Sequence, residues 1–132
     1  MEGQSMKNKH VLITFVDNGN FQSIISKEAM FNKVMKEFKD DGRVVSNEFI
    51  TKSYKYVDFE DGSTIKLMPF GVIRGAKYTD IYVDKASLLL PNGEQLFYEI
   101  VDFNRDKESF KDRIKLFSQG TEEDLKIEEY NK

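Results

Sequence analysis

Apolar residues change their spacing along this chain, and each change marks an element. Val11-Leu12-Ile13-Thr14-Phe15-Val16 is a run rich in β-branched residues that closes on Asp17-Asn18-Gly19-Asn20. A short apolar run ending at a turn signal predicts a buried strand. Met30, Phe31, Val34, Met35 and Phe38 then share one stripe at helical spacing, with Lys33, Lys36, Glu37 and Lys39 elsewhere. That pattern predicts an amphipathic helix over 27–40. Ser26 is its expected N-cap, Glu28 suits the positive end of the dipole, and Gly42 can take the left-handed conformation that stops a helix.

From Val44 the pattern turns strand-like. Val44-Val45, Phe49-Ile50 and the set Tyr54, Tyr56, Val57 and Phe59 lead to Glu60-Asp61-Gly62, after which Ser63 to Met68 reads as a return strand. Asp-Gly between two such runs predicts a hairpin at 59–63. Pro69, Gly71 and Gly75 break the next stretch into a loop, and Ile81-Tyr82-Val83 restores a strand ending at Asp84. Ser87 to Leu90, the turn Pro91-Asn92-Gly93 and the run Gln95 to Phe103 predict a second hairpin at 90–94. Phe110, Ile114 and Phe117 recur at helical spacing, with Asp106 and Glu108 early and Lys111, Arg113 and Lys115 late. A helix over 105–117 is therefore expected, its charges matched to the dipole. The sum is one small α/β or α+β domain of about five to six strands. Residues 1–9 read as a flexible N-terminal arm, 10–118 as the globular domain, and 119–132 as a charged, partly ordered tail that is frayed or weakly helical.

Composition narrows the chemistry. At 132 residues the chain has enough length for one core. Its 20 basic and 23 acidic residues give a net charge of −3, which removes the broad basic footprint of a dedicated duplex-binding domain. With no Cys and one His, thiolate zinc, disulfides and a cysteine nucleophile are excluded. No apolar run approaches about 18 residues, and no basic flank precedes an apolar core, so a soluble cytoplasmic protein without a membrane partner is expected.

His10 is the lone imidazole and has no visible nucleophile beside it; Glu60/Asp61 and Glu122/Glu123 are adjacent pairs whose side chains diverge. The loop after the first strand lacks the glycines, Lys and hydroxyl of a P-loop. No complete catalytic constellation is present in the sequence, so the expectation is a non-enzyme that needs no cofactor.

The most informative stretch runs from Tyr56-Val57-Asp58-Phe59-Glu60-Asp61-Gly62-Ser63 through Ile73-Arg74-Gly75 to Asp80-Ile81-Tyr82-Val83-Asp84-Lys85. A strand, an Asp-Gly-Ser turn, a second strand, an Arg-Gly loop and an acid-terminated apolar strand resemble the ATPase domain of phage terminase large subunits, over residues 56–87 only. The resemblance implies that Asp84 is the magnesium-binding acid, that Arg74 and Gly75 match an upstream Arg-Gly element, and that Lys85 stands where the family has its catalytic Glu. Arg74 and Lys85 are then the phosphate candidates. The missing Walker A loop and the reversed charge at Lys85 remove most of what phosphoryl transfer needs. The resemblance thus implies a degenerate, phage-type, nucleotide- or nucleic-acid-associated domain, with Mg²⁺ and ATP as ligands only in that case.

Two further surfaces are open to a partner. Lys52, Tyr54, Lys55 and Lys77, with Tyr56, Lys66 and Tyr78 nearby, interleave cations and aromatic rings as single-stranded nucleic-acid sites do. Strand alternation divides them, however, placing Lys52, Tyr54 and Tyr56 on one face and Lys55 on the other. Eleven Phe and six Tyr exceed the needs of a core this small, which favours an exposed aromatic patch. The leading expectation is a small non-enzymatic α/β binding module, phage-encoded if the resemblance holds, that acts through a protein partner or by self-association.

Overall fold

β-branched and aromatic residues build a mixed seven-stranded sheet in the order β2-β3-β4-β1-β5-β6-β7. The computed structural model describes residues 8–17, 21–51, 54–71, 78–104, 114–118, 121 and 123–129. Its elements are β1 (His10–Phe15), α1 (Phe21–Asp40), β2 (Val45–Ile50), β3 (Lys55–Phe59), β4 (Thr64–Pro69), β5 (Asp80–Asp84), a 3₁₀ helix (Lys85–Leu89), α2 (Gly93–Asn104), β6 (Ile114–Ser118) and β7 (Lys126–Glu129). β4, β1, β5 and β6 run parallel. β3 joins β4, β2 joins β3 and β7 joins β6 antiparallel. Among the described residues no helix is long and apolar enough to cross a membrane.

β1 is central, and its alternation divides the core in two. Val11, Ile13 and Phe15 meet Met30, Phe31, Val34 and Phe38 of α1, together with Val57, Phe59, Ile65 and Leu67. Leu12 meets Ile81 and Val83 of β5, Ile114 and Leu116 of β6, and Phe97 and Ile100 of α2 on the other side. Successive side chains of a strand point to opposite faces, so a strand buried on both must be apolar throughout. The α1-side cluster reaches from Val45 of β2 to Ile127 of β7. The α2-side cluster draws on β1, β5 and β6 and takes no residue from β2 or β3.

α1 begins at Phe21, so Ser26 lies inside the helix and is not its N-cap. Its end follows the sequence: Gly42 has φ +88°, its N–H donates to the Lys39 carbonyl and that of Arg43 to the Phe38 carbonyl. This is a Schellman stop, which requires the left-handed residue. Arg43, with a side chain only 2% exposed, fastens this end to the β3–β4 turn. Its Nε donates to Asp61 Oδ2 at 3.1 Å and Ser63 Oγ at 3.2 Å, and Nη1 donates to Asp41 Oδ2 at 3.0 Å. Burial alone would raise the Asp61 carboxyl, but hydrogen bonds from Ser63 and the Arg43 charge hold it below its usual value. The hairpin at 59–63 is present, with Gly62 at φ +94°.

The second half departs from the sequence reading. Gly93–Asn104 is a helix, so there is no hairpin at 90–94, and Lys85–Leu89 is a 3₁₀ turn where a strand is expected. Pro91-Asn92-Gly93 is a genuine turn, with Asn92 at φ +61°, but it leads into α2, whose first turn is closed by Leu96 N–H donating to the Asn92 carbonyl at 3.0 Å. Leu96, Phe97 and Ile100 carry the helical period. Of the helix expected over 105–117, residues 105–113 lie outside the described residues and Ile114–Ser118 is strand β6. Phe110, Ile114 and Phe117 mimic a helical stripe because Ile114 and Phe117 face opposite sides of a strand buried on both. Within the stretch read as a tail, Lys126–Glu129 pairs with β6 as β7, a strand where weak helix is expected. The segments read as helix and tail thus raise the strand count to seven. Residues 1–7 of the expected arm lie outside the described residues.

Candidate functional site

In a parallel sheet, ligands gather at the carboxyl ends of strands where neighbouring connections diverge. Here that point is the end of β1, flanked by β4 and β5. Asp84 ends β5 at this place and is 3% exposed. Its Oδ2 accepts from the Val16 N–H and its Oδ1 from the Ala86 N–H, both at 3.1 Å. One carboxylate therefore ties the end of β1 to the end of β5 and caps the 3₁₀ helix that follows. Lys85 points to the sheet's far edge, where its Nζ meets Glu128 Oε2 of β7 at 2.8 Å. Hydrogen bonding from Lys85 lowers the Glu128 carboxyl. Arg74 lies outside the described residues. Among the described residues no group of three or more His, Asp or Glu could hold a metal ion. His10 turns its Nδ1 to Thr64 Oγ1 at 3.0 Å.

The aromatic candidates assemble on the side of β2–β4 away from α1. Phe49 of β2 faces Tyr56 of β3 in register, their ring centroids 6.0 Å apart, and Tyr54 meets Tyr56 edge-on at 6.2 Å. Lys66 of β4 sits with its Nζ 5.9 Å from both the Tyr56 and Tyr78 rings. Burial raises the Tyr78 hydroxyl above its usual range. Lys55 turns the other way: its Nζ pairs with Glu28 of α1 at 2.6 Å and lies 4.8 Å above the Phe31 ring. Tyr54 and Lys55 therefore serve opposite faces, as strand alternation requires. Lys52 and Lys77 lie outside the described residues.

Sequence reasoning passed over the edge itself. Phe49 and Ile50 are neighbours in β2, exposed by 55% and 53%, and so present apolar surface on both faces of one strand. Nothing among the described residues pairs with the outer side of β2. The signal was legible as two consecutive large apolar residues directly after the polar run Ser46, Asn47 and Glu48. An open concavity of about 550 Å³ between α1 and the segment before β7 also went unread. Ile25, Glu28, Ala29, Asn32, Thr121 and Glu123 line it, a mixture of apolar and acidic or neutral polar side chains.

No protein-family model, curated protein or solved structure matches the chain.

Proposed function

We propose that the protein is a non-enzymatic binding module that works through the β2 edge of its sheet, receiving an extended strand from a protein partner or from another copy of itself. The observation that carries this is the exposure of Phe49 and Ile50 on opposite faces of an unpaired edge strand. A ligand lying flat on the aromatic face would cover Phe49 and leave Ile50 in water. A strand added to the edge covers both, while its backbone takes up the outward N–H and C=O groups of β2. The reading carries with it the cytoplasm as its place and no cofactor.

Selection of a displayed random-peptide library against the folded protein tests it. Extended peptides with alternating apolar residues are expected, binding at least tenfold more weakly to a Phe49→Lys/Ile50→Lys variant. Peptides retained equally by both proteins would overturn the edge as the site.

A second reading, a nucleotide-associated domain of terminase-like descent, is favoured by one observation: β5 runs parallel beside β1 with an acid at its carboxyl end. Equilibrium dialysis with Mg²⁺-ATP tests it. Saturable binding weakened by Asp84→Asn, in a variant whose circular dichroism is unchanged, supports it, and no binding at millimolar nucleotide refutes it.

A further inference from the structure

The two ends of the sheet differ in how they meet solvent. β7 is four residues long and carries Lys126, Glu128 and Glu129, the short charged strand that discourages edge pairing. β2 is six residues long, has neither Lys nor Pro, and exposes Phe49 and Ile50. Its irregularity, a register shift between Val45 and Asn47, lies at one end and leaves 47–50 regular.

The direction of its backbone groups follows from the pairing with β3. Thr51 N–H donates to the Tyr54 carbonyl at 2.7 Å, so Thr51 faces inward. Alternation along an antiparallel strand then turns Phe49 and Asn47 inward as well, and directs the N–H and C=O of Glu48 and Ile50 outward. Side chains alternate with the same period. Phe49 lies on the aromatic face with Tyr56, and Glu48 and Ile50 lie on the α1 side.

We infer that β2 pairs with β2 of a second copy of this chain, antiparallel about a two-fold axis through Phe49. This rests on the edge-binding reading above and names its occupant. The register is constrained. A two-fold axis perpendicular to the sheet keeps each face on its own side, so opposed residues must come from the same face of β2. Centring on Glu48 would satisfy this and oppose two carboxylates, which is destabilising. Centring on Phe49 opposes ring with ring, each already flanked by Tyr56 at 6.0 Å, and sets Glu48 against the partner's Ile50. The Glu48 and Ile50 backbones then form the hydrogen-bonded pairs, and Phe49 falls at the non-bonded position where side chains approach closest. Centring on Ile50 would run past the end of β2 and centring on Asn47 into its register shift, so only Phe49 meets every condition. A six-residue edge buries little area, so the dimer belongs to the weak class below about 1,200 Å².

The chain has no cysteine, so single introduced cysteines read the register directly. Cα atoms of a non-bonded antiparallel pair lie about 4.5 Å apart, within disulfide reach. In a glutathione redox buffer at several hundred micromolar protein, Phe49→Cys should form a disulfide dimer, and Glu48→Cys, at a position that is also exposed, should stay monomeric. Circular dichroism confirms that both variants fold. The mass of the unmodified protein in light scattering should rise from 15.4 kDa toward twice that value with concentration, and Ile50→Lys should hold it at the monomer. Cross-linking through Glu48→Cys in place of Phe49→Cys overturns the register. A monomeric mass at every concentration, with no Phe49→Cys dimer, overturns the second copy as occupant. If selected peptides still bind the edge in that case, the occupant is another protein and the edge reading survives. If an oligonucleotide binds instead and Phe49→Ala alone abolishes it, both readings fall.

Discussion

Asp84 offers the sharpest separation between a structural carboxylate and a ligand-binding one. Its two oxygens accept from the N–H groups of Val16 and Ala86, each at 3.1 Å, and the side chain is almost wholly withdrawn from water. Hydrogen bonds to an ionised group contribute about 1.5–3 kcal/mol each, so Asp84→Ala forfeits about 3–6 kcal/mol and orphans two N–H groups. Relief of the buried charge returns part of this, because desolvating a carboxylate costs several kcal/mol. A net loss of about 3 kcal/mol remains, which for a domain of this size lowers Tm by roughly 10 °C. Asp84→Asn keeps one acceptor and should lose about half as much. Urea denaturation followed by circular dichroism measures both, with and without Mg²⁺. If Asp84→Ala unfolds within about 0.5 kcal/mol of the parent, the ordinary scatter of neutral substitutions, the capping argument is wrong. If the loss appears only when Mg²⁺ is present, the carboxylate serves a cation instead.

Three other outcomes follow from the same geometry. Gly93→Ala places a Cβ 2.0 Å from the Ser87 carbonyl oxygen, a backbone atom that cannot turn aside, so it should destabilise by about 1–3 kcal/mol in a denaturant titration. Asp61 has a carboxyl held below its unfolded value, so its contribution is present above the usual carboxylate range and disappears as pH falls through the lowered folded value; Asp61→Asn should flatten that acid limb in stability measured against pH. Tyr82 is pushed up to about 12 by burial and the nearby Glu37 and Asp80, so ultraviolet titration should find it still neutral near pH 11, with stability falling as pH rises from its unfolded value toward 12.

The first half of the fold is legible because each element has a local cause. The run 11–16 is apolar on both faces, the α1 stripe keeps one period, and Gly42 and Gly62 occupy positive φ where the sequence asks for them. The second half fails where local and tertiary signals share residues. Pro91-Asn92-Gly93 marks a reversal in either a hairpin or a 3₁₀-to-α junction, and only the packing of Phe97 and Ile100 against Leu12 decides between them. Ile114, Leu116 and Phe117 are buried on both sides of β6, which erases the alternation that identifies a strand. Arg43 carries no signal at all. Its partners Asp41, Asp61 and Ser63 converge only when the end of α1 meets the β3–β4 turn. At the candidate site the residue types were visible, but their division between faces places Lys55 against Glu28 and leaves Tyr54 with Tyr56.

The position of the open edge follows from the topology. Parallel strands need both faces covered, and α1 and α2 supply this for the strands around β1. The strands added antiparallel at either end are released from that requirement, since an antiparallel strand tolerates water on one side. β7 meets water with charges, and Lys85 of the 3₁₀ helix reaches across to Glu128 there, closing that end with an ion pair. β2 has α1 on one side for Val45 alone, and no helix on the other. Large apolar residues at such a place lower solubility and lie outside the core clusters, which is what the proposed edge partner would account for. Replacing both Phe49 and Ile50 with Thr, a residue suited to exposed strands, should therefore cost no more than about 1–2 kcal/mol, the Phe49–Tyr56 contact included, while removing association. A large loss of stability in the isolated monomer would assign these side chains to the fold and take away the reason for an edge partner.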